Sequence, residues 1–149
     1  MSFNVQLING QWLSGTGPSF SSVNPSNGEV IWQGSGASAE QVDSAIKSAR
    51  NAFYTWSDLE PSARIEIFNK FAQLLKDNSE TMATVIAKET GKPIWETRTE
   101  VGAMAGKIAI SIKAHDERTG TTENPMPGAK AFILHKPHGV VAVFGPYNF

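Results

Sequence analysis

The 149-residue sequence contains no cysteine, no long apolar run and almost no net charge. Without cysteine, the chain supplies no disulfide, no thiolate metal ligand and no cysteine nucleophile. No stretch reaches the ~18 apolar residues that a membrane-spanning helix needs. The 13 basic and 14 acidic residues give a formal charge of −1, which argues against nucleic acid or an anionic membrane as a partner. The amino terminus lacks the basic and apolar regions of a signal peptide, so we expect a cytoplasmic protein.

The amino-terminal part is predicted to form two pairs of strands. Asn9-Gly10 lies between two short apolar stretches and favours a type I′ hairpin turn, because both turn positions need a positive φ. The stretch "FSSVNPSNGEVIWQGSG" predicts a second extended pair, interrupted at Asn24-Pro25 and Asn27-Gly28. Polar residues occupy about half of these strands, so we expect partly solvated sheets.

Four helices are predicted after the strands, because apolar residues recur there at helical spacing. A capping box of Ser38 and Gln41 begins the first helix. The other boundaries are Pro61 for the second helix, Asn78 or Ser79 and then Gly91 for the third, and about Ile94 to Arg118 for the fourth. Glu89 and Glu100 lie on these helices without an evident partner and are interpreted as solvated side chains.

The carboxyl-terminal part reads as the loop "TTENPMPG", a strand, a turn at residues 137–139, and a second strand. Val140–Phe144 is a run of five apolar residues, which predicts a strand buried on both faces. Gly145-Pro146 follows as an elbow and brings Asn148 to the carboxyl edge of the sheet, where open α/β sheets bind ligands. An amide there can donate a hydrogen bond to an oxyanion, or it can satisfy its own loop backbone. The residues alone leave both alternatives open.

Two further motifs are assigned structural roles. "GSGASA", residues 34–39, fits the dinucleotide-binding pattern, but that mechanism needs a strand after the helix and here a second helix follows. We interpret it as a glycine loop that leads into a capped helix. His135 and His138 are too few for a metal site, which needs three or four convergent ligands, so no metal is expected.

Five segments occur in the order seen at the start of the aldehyde dehydrogenase superfamily, and together they cover nearly the whole chain. They are "INGQW", "VNPSNGEVI", "VDSAIKSARNAFYTWSDL", "ETGKP" and "KPHGVVAVFGPYNF". The chain therefore resembles the amino-terminal portion of such an enzyme. "GPYNF" and "HDERTG" are most similar to the branch that oxidises N-succinylglutamate 5-semialdehyde in arginine catabolism.

This resemblance implies an α/β fold with β-hairpins, a helical bundle, an oligomerisation strand and the first strand of an NAD-binding sheet. Residues 1–130 would be the hairpins and helices of the NAD-binding domain. Residues 131–139 would be the strand and turn of the oligomerisation arm. Residues 140–149 would be the first strand of the sheet with the oxyanion elbow, and the catalytic domain would be absent from this chain.

The resemblance also implies roles for individual residues. Asn148 matches the asparagine whose amide stabilises the oxyanion, and Phe149 matches an aromatic residue near the substrate funnel. Four residues match the stretch against the nicotinamide half of NAD: Phe144, Gly145, Pro146 and Tyr147. Tyr147 is a departure, since the family usually has tryptophan there. The family's nucleophilic cysteine and its glutamate base lie beyond Phe149, so the chain alone is expected to be inactive.

The implied partners are NAD or NADP, a small aldehyde and further copies of the complete enzyme, as a dimer or tetramer. Nucleic acid and membrane are not expected. An alternative from another class is a non-catalytic interaction module, which would recruit a partner by adding a strand to an exposed sheet edge.

Overall fold

The computed structural model describes residues 6–145 as a mixed α/β chain. Its elements are β1 (Gln6–Ile8), β2 (Gln11–Leu13), β3 (Ser19–Val23), β4 (Val30–Ser35), α1 (Ala39–Ser57), α2 (Pro61–Asp77), α3 (Ser79–Thr90), α4 (Ile94–Arg118), β5 (Thr121–Met126) and β6 (Ala129–Leu134). The strands pair in sequence as β1–β2, β3–β4 and β5–β6. The described residues form two compact units, one of residues 6–22, 32–59 and 137–145 and the other of residues 23–31 and 60–136.

The β1–β2 hairpin has the predicted two-residue turn. Ile8 pairs with Gln11, and the strands are antiparallel. Asn9 has φ 51° and Gly10 has φ 76°, so both turn positions are left-handed as a type I′ turn requires. The hairpin prediction is therefore confirmed.

Glycines of the first unit allow two backbone segments to approach closely. The Gly17 amide donates to the Gly36 carbonyl at 2.9 Å, and the Gly36 amide donates to the Pro18 carbonyl at 2.9 Å. A Cβ on Gly15 would lie 2.0 Å from the Ser35 carbonyl oxygen, and one on Gly17 would lie 2.5 Å from the Ala37 carbonyl oxygen. The glycine loop at residues 34–37 thus pairs with residues 15–18 and then enters α1, which supports its structural interpretation.

Helix α1 begins with the predicted capping box. The Gln41 amide donates to Ser38 Oγ at 3.3 Å, and the Ser38 amide donates to Gln41 Oε1 at 3.1 Å. Both otherwise unpaired backbone donors are satisfied in this way. Despite an amphipathic sequence, α1 contains no buried residue in this chain.

The second unit is organised around three helices. Pro61 occupies the first turn of α2, and Gly91 ends α3 with φ 74°. A Cβ on Gly91 would lie 2.9 Å from Pro25 Cγ, so both close approach and conformation require glycine there. The buried residues of these helices are Leu75, Ala83, Thr97, Val101 and Ala105. Thr97 satisfies its hydroxyl by donating to the Ile94 carbonyl at 3.0 Å.

The stretch predicted as a loop at "TTENPMPG" is mostly a strand, and this prediction was wrong. β5 pairs with β6 over six residues, from Thr121 opposite Leu134 to Met126 opposite Ala129. Pro127 and then Gly128, with φ 72°, fit a type II turn between the strands. Asn124 and Pro125 disfavour strands locally, but the ladder hydrogen bonds to β6 outweigh that preference.

The run Val140–Phe144 carries no strand assignment in the described part of the chain. A strand exists only through ladder hydrogen bonds to a neighbouring strand, and no pairing of this segment is found among residues 6–145. The prediction that the segment enters a parallel sheet therefore remains a prediction. The domain boundaries at residues 130 and 139 likewise remain predictions.

Candidate functional site

The predicted site lies on the segment that follows the turn at residues 137–139. Gly139 has φ 99°, and a Cβ placed there would lie 3.2 Å from Arg50 Nη1 of α1. The start of the segment therefore lies beside the carboxyl-terminal half of α1. Val140 is half-buried at this point.

Beyond Val140 the segment is open to solvent. Val143 is 85% exposed and Phe144 is 93% exposed. Large apolar side chains this exposed lose the free energy that burial would give, about 1.5–3 kcal/mol for each. The segment thus presents an apolar surface that is suited to packing against another apolar surface.

Only two of the predicted site residues fall within the described part of the chain. These are Phe144 and Gly145. Pro146, Tyr147, Asn148 and Phe149 lie outside the described residues, so the predicted oxyanion and substrate roles remain predictions.

The described residues do not by themselves enclose a nicotinamide ring. A Cβ on Gly145 would meet no atom within 4 Å, and the ring of Phe144 is almost fully exposed. A cofactor site needs walls that exclude water from most of the ligand surface. Such walls would have to come from outside residues 6–145.

An apolar cleft between α2 and α4 was not predicted from the sequence. It has a volume of about 520 Å³ and lies within the second unit. Phe68 and Phe71 line it from α2, and Met104 and Ile108 line it from α4. Helical spacing identified several of these residues as apolar faces, but it cannot show that two such faces diverge enough to leave a cleft.

A partly buried ion pair corrects the interpretation of Glu100 as a solvated side chain. Its carboxylate contacts the Lys92 ammonium, and the two side chains are only 23% and 19% exposed. Glu96 lies 3.8 Å from the same ammonium, one helical turn earlier. Lys92 follows the Gly91 cap, so the pair joins the α3–α4 connection to α4. Its position indicates a structural role.

A second charged pair joins α3 to α4. Arg98 Nε and Nη2 donate to the two carboxylate oxygens of Glu80 at 2.9–3.2 Å. The hydrogen bonds from Arg98 lower the pKa of Glu80 below its usual value, and the positive charge of Arg98 acts in the same direction. The pKa of Arg98 is raised in turn. The planar guanidinium suits this two-oxygen contact.

Neither a metal cluster nor a membrane-spanning helix is found between residues 6 and 145. No group of three potential metal ligands comes together there, and no helix there is long and apolar enough to cross a membrane. His135 instead donates from Nδ1 to the Gly120 carbonyl at 2.9 Å, between the two ends of the β5–β6 hairpin.

Comparison with known proteins identifies the family. The sequence profile of the aldehyde dehydrogenase family matches residues 12–149. This chain belongs to the aldehyde dehydrogenase family. N-succinylglutamate 5-semialdehyde dehydrogenase of Burkholderia ambifaria is 55% identical over 143 residues, which are 96% of this chain. The chain spans 29% of the length of that relative.

Similar solved structures support the fold. A point mutant of betaine aldehyde dehydrogenase from Staphylococcus aureus, solved with NAD+, is 25% identical with a TM-score of 0.75. The match covers 85% of this chain and 26% of that one. An NADP-dependent enzyme of E. coli is 27% identical with a TM-score of 0.77, covering 85% of this chain and 27% of the other. The described elements therefore have the arrangement found in this family.

Proposed function

We propose that this chain forms part of an enzyme that oxidises an aldehyde to a carboxylate with NAD+ or NADP+. The observation that carries the proposal is the family match over residues 12–149. The substrate proposed is N-succinylglutamate 5-semialdehyde, because the curated relative that is 55% identical has that activity in its name. We call this chain, continued to the length of its relatives, the complete enzyme.

Within the complete enzyme, Asn148 is the catalytic residue that this chain contributes. Its side-chain amide would donate a hydrogen bond to the aldehyde oxygen as negative charge develops there. Preorganised donors of this kind are effective because they need little reorganisation during the reaction. Phe149 would line the approach of the substrate.

Phe144, Gly145, Pro146 and Tyr147 would lie against the nicotinamide, which accepts the hydride when the cofactor is bound. The absence of a side chain on Gly145 would let the backbone approach the ring closely. Of the two solved structures described above, one was solved with NAD+ and the other is described as NADP-dependent. We favour NAD as the cofactor and propose the complete enzyme as a homodimer or homotetramer.

The substrate assignment is tested by comparing kcat/KM for two aldehydes in the complete enzyme. N-succinylglutamate 5-semialdehyde carries carboxylates that acetaldehyde lacks, and a site built to pair with them rejects the smaller aldehyde because its polar groups stay unpaired. We expect a preference of about 10⁴ or more for the semialdehyde. Equal kcat/KM values would refute the substrate but leave aldehyde oxidation in place.

The 149-residue chain alone provides the matching negative test. It contains no cysteine, so it cannot form the covalent thiol adduct that the resemblance implies. Incubation with NAD+ and a panel of aldehydes should reduce no cofactor above a blank without protein. Clear reduction would contradict the proposed chemistry.

A second candidate function is a non-catalytic interaction module, and the exposed β5–β6 hairpin favours it. Every residue of β5 is exposed, and Phe132, Ile133 and Leu134 of β6 are 51–60% exposed. Strand pairing with a partner chain would cover such a hairpin. A native protein of full family length with aldehyde-dependent NAD+ reduction favours the enzyme, and a stable, inactive 149-residue native product favours the module.

A further inference from the structure

The chain has two Asn-Gly pairs in turns, and their backbone amides are held differently. Such pairs can lose ammonia without an enzyme. The glycine nitrogen bonds to the asparagine side-chain carbon, the bond from that carbon to Nδ2 breaks, and ammonia leaves with the glycine amide proton. Water then opens the cyclic imide to aspartate or isoaspartate. Glycine permits this because it has no Cβ to obstruct the approach.

The first pair, Asn9-Gly10, is the exposed tip of the β1–β2 hairpin. Ser48 Oγ donates to Asn9 Oδ1 at 3.2 Å. A Cβ on Gly10 would meet no atom within 4 Å, and the same is true of Gly28, so steric access at the glycine does not distinguish the two pairs. Within residues 6–145 the Gly10 amide has no hydrogen-bond partner, so the nucleophile is not engaged.

The second pair, Asn27-Gly28, has its nucleophile engaged. The Gly28 amide donates to the Asn24 carbonyl at 2.8 Å. Asn27 Oδ1 accepts from the Glu29 amide at 3.0 Å, which holds the side chain toward Glu29. The Glu29 carbonyl in turn accepts from the Asn24 amide at 2.8 Å. Several hydrogen bonds must therefore open before Gly28 can attack.

The surrounding elements also favour reaction at the first pair. β1 and β2 are only three residues long each. A two-stranded hairpin this short opens locally at little free-energy cost. The turn at Asn27 is closed by its own hydrogen bonds and does not depend on strand length.

We propose that Asn9-Gly10 is a site of spontaneous deamidation in this protein and that Asn27-Gly28 is protected. Formation of isoaspartate would insert an extra carbon into the backbone of a two-residue turn. That turn sets the pairing of Ile8 with Gln11, and Ile8 is the buried residue of β1. Modification at Asn9 would thus release β1 and its contact with α1.

The test ages the purified 149-residue chain at mildly alkaline pH, both folded and in urea. Chymotryptic cleavage after Trp12 and Trp32 separates the two pairs, and mass spectrometry follows conversion of each amide to an acid. The ratio of the Asn9 rate to the Asn27 rate should be about tenfold higher in the folded chain than in urea, since the hydrogen bonds at Asn27 exist only when folded. The urea sample controls for neighbouring residues.

Amide hydrogen exchange provides the second measurement. Exchange at Gly28 should be slower than at Gly10 in the same buffer, because only the Gly28 amide is hydrogen-bonded. The proposal is overturned if the rate ratio is the same in the folded chain and in urea. Equal exchange at the two glycines would also overturn it.

Discussion

At the residue scale, Asn148 carries the proposed chemistry of this chain. Its side chain is the only predicted catalytic group, and the case for it rests on family membership and on its place after the apolar run and the Gly-Pro elbow. Phe144 and Gly145, which precede it in the sequence, lie on a segment that is open to solvent.

We predict that Asn148→Ala in the complete enzyme lowers kcat by about 10²–10³, the loss seen on removing one oxyanion donor. Cofactor affinity should change much less, because the amide acts on the substrate oxygen. Steady-state kinetics with single-turnover measurements would test this. Asn124→Ala, an exposed asparagine of β5, is the matched control and should leave kcat unchanged. If Asn148→Ala retains full kcat while chemistry limits the rate, Asn148 has only a loop role.

Gln41 shows how one side chain can join several segments of the first unit. Its Oε1 accepts from the Ser38 amide at 3.1 Å, from the Thr16 amide at 2.9 Å and from Thr16 Oγ1 at 3.0 Å. Its Nε2 donates to the Ser14 carbonyl at 2.9 Å. The capping box was predictable from spacing, but the bonds to residues 14–16 depend on how the chain returns to α1.

We predict that Gln41→Ala lowers the free energy of unfolding by about 1–2 kcal/mol, because several hydrogen bonds are lost together. Urea unfolding followed by circular dichroism would measure the change. Gln73→Ala is the control, since Gln73 is exposed and its amide contacts one group, Asp77, at 2.7 Å. An equal effect of the two substitutions would show that the links to residues 14–16 add no stability.

At the scale of elements, α3 and α4 are joined by buried apolar contacts and by one charged pair. Ala83 and Val101 are 0% and 1% exposed, which places the apolar contact between the helices. The Glu80–Arg98 pair lies outside this contact and is solvated. Solvated pairs contribute little, but this one has a definite dependence on pH.

The lowered pKa of Glu80 predicts when the pair stabilises the fold. A carboxyl whose pKa is lower in the folded state contributes stability above its unfolded pKa and loses it as the pH falls through the folded value. The unfolded reference is 4.5, and the folded value lies below it. Glu80→Gln should therefore be less stable than the parent chain near neutral pH, and the difference should vanish below the lowered pKa.

Urea unfolding midpoints at neutral and acidic pH would measure this difference. Glu117→Gln is the control, because Glu117 forms another exposed ion pair on α4, with its carboxylate 3.7 Å from the Lys113 ammonium. A difference between Glu80→Gln and the parent that persists unchanged in acid would contradict the electrostatic origin.

At the scale of the whole molecule, apolar side chains lie open to solvent in four places. Apolar side chains are exposed on helix α1, in the cleft between α2 and α4, on the β5–β6 hairpin and along Val140–Phe144. Such surfaces mark sites of association.

We predict that the 149-residue chain self-associates at tens of micromolar, partly through the run at residues 140–144. Exposed apolar side chains and unpaired backbone favour both apolar contact and strand pairing. Size-exclusion chromatography with light scattering would compare the parent chain with the double variant Val143→Ser and Phe144→Ser, which should associate less. The control is Val85→Ser, because Val85 is half-exposed on α3, which is not one of these surfaces. A monomeric parent chain with exchange-protected amides at residues 140–144 would contradict the prediction.

Features that depend on a few neighbouring residues were predictable. Backbone sterics and unpaired amides within one or two turns determine four such features. These are the type I′ turn at Asn9-Gly10, the cap at Ser38, the left-handed end at Gly91 and the bounds of α4. Family membership was also predictable, since five ordered segments carried it. Of the site, the sequence predicted which positions contribute. Their geometry depends on contacts with the rest of the fold, and Pro146 through Phe149 lie outside the described residues.

The sequence by itself thus determined the helices, the tight turns and the family, because each depends on local backbone geometry or on residue order. Only the tertiary structure decided which residues meet across the chain. It paired Thr121–Met126 with β6 against local preference, joined Glu100 to Lys92, and brought residues 15–17 against the Gly36 loop. It also decided which apolar faces stay exposed, because burial depends on a partner surface, and helical or strand periodicity shows only that a face requires one.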